Sequence, residues 1–106
     1  NVRRQYIVGR INDIPGLSCR MPKGAFYVMM NISGIIGASL GGKVMRSSTD
    51  FAELLLESAN VAVVPGAGFG SDSHVRLSYA TSLENIDRGL SRIEQFVAGL
   101  DMPAAV

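Results

Sequence analysis

Between His74 and Ala80 the side chains alternate: Val75, Leu77 and Tyr79 are apolar, while His74, Arg76 and Ser78 are polar. That period of two belongs to an extended strand, whose successive side chains leave on opposite faces. The segment therefore predicts a strand with one face in a core and the other outside it. Just downstream the period changes. Leu83, Ile86, Leu90, Ile93, Val97 and Leu100 recur at helical spacing, and Thr81 with Glu84 resembles a capping box at the start of that helix. A half-buried strand running into an amphipathic helix must bury both apolar faces together, which points to helices layered on a sheet.

The rest of the chain extends this pattern. Val2 to Asp13 reads as a helix with Tyr6, Ile7, Ile11 and Ile14 on one face, stopped by Pro15-Gly16. Leu17 to Arg20 reads as a short strand, Met21-Pro22-Lys23-Gly24 as a type I turn, and Ala25 to Ile32 as a second strand. The near-continuous apolarity of that strand implies burial on both faces, or one face waiting for a partner. Ser33 to Ser48, with four glycines, reads as a long loop. A helix follows from Thr49 to Ser58, with Asp50 and Glu53 as its capping box and Phe51, Leu54 and Leu55 as its buried stripe. Asn60 suits the left-handed position after it. Val61 to Val64 reads as a strand, Gly66 to Gly70 as a tight flexible turn, and Met102 to Val106 as a fraying tail. The expected fold class is α+β: a small mixed, mainly antiparallel sheet of three to four strands with helices packed against it.

Composition removes several function classes. The 106 residues make one domain. A formal charge of +1 gives no basic footprint for nucleic acid. No apolar run reaches the ~18 residues of a membrane span. Cys19 is the single cysteine and His74 the single histidine, which argues against a disulfide scaffold and a zinc site. No signal peptide is visible, and the expected compartment is the cytoplasm. The chain opens without Met on a segment that already reads as helix, so a piece of a longer protein is expected. Charged residues are 18% of the chain, against ~25% in an average soluble domain. Part of the surface is therefore expected to be apolar, or meant to be covered.

Two glycine-rich stretches imitate nucleotide-binding loops. Gly37 to Lys43 fits the phosphate-loop spacing, but Val44 stands where a magnesium-binding hydroxyl is required, and the helical pattern starts too late. Gly66 to Ser71 lacks the third glycine of a dinucleotide fingerprint and runs into a strand. Cys19 has no base nearby in sequence and reads as a structural thiol; His74 reads as a solvated ring; Met29 and Met30 read as core filler. Arg76 is the informative residue. A guanidinium keeps its proton, and burying one without an anion costs several kcal/mol. From its place on the polar side of the strand it is solvated, paired internally, or reserved for a ligand carboxylate or phosphate.

Taken in order, Ile14-Pro15-Gly16-Leu17-Ser18-Cys19, Pro22-Lys23-Gly24-Ala25-Phe26-Tyr27, Asp50-Phe51-Ala52 with Leu54-Leu55, Val61-Ala62-Val63-Val64-Pro65-Gly66, Phe69-Gly70 and Val75-Arg76-Leu77-Ser78-Tyr79-Ala80 form a familiar set. The set resembles the C-terminal small domain of the fold-type I, pyridoxal phosphate-dependent aminotransferases, and within them the bacterial aspartate aminotransferase branch of class I. The resemblance runs from about Arg3 to Gly99, and six ordered motifs carry it. Asn60 and Ala67-Gly68 depart slightly from the family pattern.

The resemblance implies that residues 1–106 are one small domain whose large, cofactor-bearing domain lies elsewhere in the polypeptide. It implies that Arg76 binds the α-carboxylate of the substrate, with Phe26, Tyr27 and Phe69 as possible lining of the site. The family's lysine that holds pyridoxal 5′-phosphate sits in a motif matched by neither Lys23 nor Lys43. No catalytic residue, cofactor ligand or metal ligand is thus expected in this chain, and alone it should be inactive. The implied substrates are an amino acid and a 2-oxo acid, the implied parent a homodimer; nucleic acid and membrane are not expected partners. The competing reading is a non-catalytic α+β module that binds a ligand or partner by itself. Under the aminotransferase reading, exposed apolar area is expected around Phe26, Tyr27 and the Pro65–Gly70 turn, where a partner domain would pack.

Overall fold

The computed structural model describes residues 2–22 and 26–102, apart from the side chain of Phe69. Helix α1 spans Val2–Asn12 and buries Ile7, Val8 and Ile11. Strands β1 (Ser18–Cys19) and β2 (Tyr27–Asn31) follow, then a hairpin of β3 (Ser39–Leu40) and β4 (Lys43–Val44). Helix α2 spans Ser48–Ala59, strands β5 (Val64–Pro65) and β6 (His74–Ser78) come next, and helix α3 spans Leu83–Ala98. The type I turn expected at Met21–Gly24 falls largely outside the described residues, as does most of the tail.

The main sheet has four strands in the order β1-β2-β6-β5. All its pairings are antiparallel, so the sheet is not mixed. Every connection between paired strands reverses the chain, and none makes the crossover a parallel pair requires. One face carries Val28, Met30, Val75 and Leu77, all buried. Helices α1 and α3 pack together, α2 packs against α3 and the β5–β6 side, and α1 lies along β1. Phe51 of α2 meets Phe96 of α3 edge to face, with ring centroids 5.8 Å apart, at the centre of this core. Phe96 stands outside the expected stripe on α3, whereas Leu83 at the helix start is exposed.

Several local expectations are corrected. Ser33 to Ser48 is not a structureless loop. It holds a short 3-10 turn at Ser33–Ile35, then the β3–β4 hairpin. Ile35 and Ala38 among the glycines and Met45 beyond them are buried and anchor the segment, and the polar Ser48 is buried at its end. Ser39 also bonds to Asp101, fastening the end of the chain to the hairpin.

The helix caps are not those of the expected boxes: on α2 the cap is Ser47, three residues before Asp50, and on α3 it lies one residue after Thr81. The Ser47 hydroxyl accepts from the Asp50 backbone N–H at 3.1 Å, and Asp50 accepts from the Arg46 N–H at 2.9 Å. On α3 the cap is Ser82, whose hydroxyl accepts from the Asn85 N–H at 3.1 Å. Asn60 does take the left-handed conformation, at φ 56°. Val61 to Val63 lie outside any strand, so β5 begins only at Val64. The outer edge of β1 is covered by Asn12. Its amide donates to the Cys19 carbonyl and accepts from the Cys19 N–H, standing in for a neighbouring strand.

Candidate functional site

Among the described residues no helix lies on the second face of the sheet. Strand alternation puts Tyr27, Met29 and Asn31 of β2 and His74, Arg76 and Ser78 of β6 on this side. Arg76 sits opposite Met29 on one neighbouring strand and opposite Val64 on the other. Its guanidinium carbon stands 4.9 Å from the centre of the Tyr27 ring. Tyr27 can reach it because it lies on the diagonal, two residues before Met29, a separation that long side chains span. Arg76, Tyr27, Phe26, Val63, Val64 and Ser78 line an open cleft of about 460 Å³. On the far side of Tyr27 a second hollow, of about 710 Å³, is lined by Met21, Met29, Asn31, His74 and Arg20 among others.

The expected apolar exposure is present at Phe26 and Tyr27, while in the Pro65–Gly70 turn Pro65 is half-buried and Gly66 is buried. Phe26 is 64% exposed, and Tyr27 and Val64 are each 42% exposed. Strand β2 is therefore buried on one face, with its other face open. Met30 is fully buried core, but Met29 belongs to the open face. The Phe26 ring lies 6.4 Å from Tyr79, and the Phe26 carbonyl accepts from the Tyr79 N–H at 2.9 Å. Of the side chains expected to line the site, Phe26 and Tyr27 gather round Arg76. Phe69 ends the 3-10 turn Gly66–Phe69 ahead of β6, and its side chain lies outside those described.

The loop leading into β6 is held from below. The buried Ser48 hydroxyl donates to Asp72 at 2.8 Å and accepts from the Ala67 N–H at 3.0 Å. Asp72 also accepts from the Ser48 backbone N–H at 2.9 Å. Together these bonds clasp the Gly66–Phe69 turn and the residues before β6 to the start of α2. Backbone and side-chain hydrogen bonds from Ser48 hold the Asp72 carboxyl below its usual range. A depressed carboxylate pKa contributes stability above the unfolded value of ~3.9 and loses it as pH falls through the folded value. The Ser48 amide resonance is expected to titrate with a midpoint below the ordinary ~3.9. Followed by NMR, a midpoint at or above that value would remove the clasp.

His74 is not a freely solvated ring. It is half-buried, with Nδ1 at 2.8 Å from the Ser71 hydroxyl and 3.3 Å from that of Ser73. Sequence reasoning missed both this pairing and the Tyr27–Arg76 contact. The alternation gave each side chain its face, but only the strand register sets who meets whom. Burial pushes the Cys19 thiol up to about 11, which suits a structural role better than a nucleophile.

Both nucleotide-loop imitations dissolve. Gly41 and Gly42 form the left-handed tip of the β3–β4 hairpin, and the Gly66–Phe69 turn leads to a strand. Neither opens onto a helix N-terminus, so neither can cradle phosphate as those motifs do. Among the described residues no three His, Cys, Asp or Glu side chains gather to hold a metal. Nor is any helix among them long and apolar enough to cross a membrane.

Fold and site together define a small antiparallel α+β domain that presents an arginine fork on an open, partly apolar sheet face. A model of the class I and II aminotransferases matches residues 1–93, and the chain belongs to that family. It is 46% identical over 92 residues to an aspartate aminotransferase of Rhizobium meliloti (strain 1021), a match covering 86% of this chain and 22% of that protein. It is 46% identical over 99 residues to an aspartate/prephenate aminotransferase of Cereibacter sphaeroides, covering 92% of this chain and 25% of the relative.

Among solved structures, an aspartate aminotransferase from Rhizobium meliloti superposes with a TM-score of 0.92 at 42% identity, over 94% of this chain and 25% of that one. An alanine aminotransferase from Pyrococcus furiosus superposes at 0.79 with 32% identity, over 92% of this chain and 23% of that one. The chain thus spans about a quarter of the length of these relatives.

Proposed function

We propose that this chain is the C-terminal small domain of an aspartate aminotransferase, an enzyme moving an amino group between an amino acid and a 2-oxo acid. In it, Arg76 receives the substrate α-carboxylate. The observation that carries the reading is the placement of Arg76. It projects from a central strand onto an open face between apolar neighbours, Met29 and Val64. In such surroundings a planar fork matched to a carboxylate gains more from a charge-assisted pair than it would in bulk water. The relatives named above, and the ordered motifs from Ile14 to Ala80, support the choice of substrate class.

Pyridoxal phosphate would supply the electron sink for such a reaction. The described residues do not fit that group. Lys43 lies on the exposed β3–β4 hairpin, bonded to Glu57 at 3.3 Å, away from the sheet that bears Arg76. Lys23 lies outside the described residues. The cofactor and the lysine that holds it are assigned to the larger domain of the same polypeptide, which would cover the open sheet face, in a parent that is a homodimer. The role of this chain is then to hold the carboxylate, orient the substrate and exclude water when the domains close.

The test is an assay of two proteins with aspartate, 2-oxoglutarate and pyridoxal phosphate. The full-length polypeptide that carries this segment is expected to transaminate, and residues 1–106 alone to show no turnover. Sustained turnover by the short chain would overturn the division of labour. A full-length protein inactive on every amino acid offered would overturn the function.

A further inference from the structure

We infer that Tyr27 is a positioning residue for substrate binding, acting through the face of its ring on the guanidinium of Arg76. The inference rests on the proposed carboxylate role of Arg76. Three observations carry it. The guanidinium carbon stands 4.9 Å from the Tyr27 ring centre, within the range of a cation–π contact. The two side chains come from adjacent, hydrogen-bonded central strands, with Tyr27 paired to Ser78 and Arg76 to Met29, so the antiparallel ladder fixes their separation. Both also line the same open cleft.

An aromatic face is well suited to this task. The N–H donors of arginine radiate in the plane of the guanidinium. A ring contacting that group through its face restrains it without setting a charged acceptor against those donors. A resident carboxylate holding the same arginine would compete with the ligand directly. Restraint matters because a long side chain that enters the complex already ordered loses less rotamer freedom on binding. The phenolic hydroxyl has no part in this account, so the ring alone should suffice.

The effect belongs in binding, where the carboxylate is gripped equally before and during reaction. In the full-length enzyme carrying this segment, Tyr27→Leu is expected to raise KM for the amino acid and the 2-oxo acid alike by ~10-fold, a size within the range of cation–π contacts. Its kcat should stay within about 3-fold. Tyr27→Phe should restore KM to within about 2-fold of the parent. Tyr27→Thr, which keeps strand propensity on this exposed face, serves as a second ring-less variant and should match Tyr27→Leu. If Tyr27→Phe is as impaired as Tyr27→Leu, the hydroxyl carries the effect and the inference is overturned. Unchanged KM in both ring-less variants, or a loss confined to kcat, overturns it equally. Arg76→Lys in the same assay separates the two ideas. If that variant is also unimpaired, the carboxylate role has failed. If it is impaired while the Tyr27 variants are not, only the positioning role has failed.

Discussion

Replacing Arg76 with lysine in the full-length enzyme is expected to lower kcat/KM for amino acid and 2-oxo acid by ~100-fold, equivalent to ~2.7 kcal/mol of transition-state binding. Lysine keeps the charge but loses the planar fork, so a two-point grip on a carboxylate becomes a one-point contact. Lysine also lacks the flat delocalised surface that meets the Tyr27 ring, so its terminal charge should be less well placed. Most of the loss should appear in KM, since the α-carboxylate is bound in ground and transition states alike. Both substrates should suffer together, because both carry that carboxylate. Steady-state kinetics would decide the matter: near-normal constants for Arg76→Lys would end the assignment, whatever the family membership.

The second large effect is structural. Gly66 is buried, and a Cβ added there would overlap the backbone carbonyl oxygens of Ser71 and His74. Neither oxygen can rotate aside as a side chain could. The Gly66 carbonyl itself accepts from the Ser71 N–H at 2.8 Å, so turn and strand entry are drawn tightly together. Gly66→Ala should therefore force the backbone apart, at a cost of ~3 kcal/mol, the upper part of the usual range for overpacking. For a domain this size that corresponds to a fall of roughly 12–24 °C in Tm. Thermal unfolding followed by circular dichroism would show it; a change of less than about 2 °C would mean that the turn can open without cost. Because His74 and Arg76 follow directly, substrate affinity in the full-length variant should fall as well.

What the sequence made legible, and what it hid, follows the range of the forces involved. Period-two alternation from His74 to Tyr79 and the helical stripes at Ile7, Phe51 and Leu90 are local patterns. They predicted the strand, the helices and much of the core. Arg76 could be placed on the outer face for the same reason. The Ser33–Ser48 segment was misread because its buried residues, Ile35, Ala38, Met45 and Ser48, follow neither period and the first three are separated by glycines. Burial there comes from tertiary packing. The Ser82 cap was missed by one position, since Thr81 offers an equivalent hydroxyl, and the Ser47 cap by three, since Asp50 is also a good capping residue; only the helix axis chooses between them. The Tyr27–Arg76 contact and the clasp of Ser48, Asp72 and Ala67 join residues far apart in the chain, and no local pattern encodes them.

The central pairing of the sheet, β2 with β6, joins Tyr27 to Ser78 and Asn31 to His74. It bears on how the molecule comes into being. During synthesis β2 leaves the ribosome long before its partner, with an apolar face and an unpaired edge that invite association with other chains. Only when the arginine-bearing strand emerges can that edge be closed, and the entropy of closing so large a loop must be met at that moment. The strand that presents Arg76, the proposed carboxylate-binding residue, is thus also the keystone of assembly. Changes in β6 should therefore act on the yield of folded protein as well as on the proposed substrate binding, and the two effects need to be measured separately.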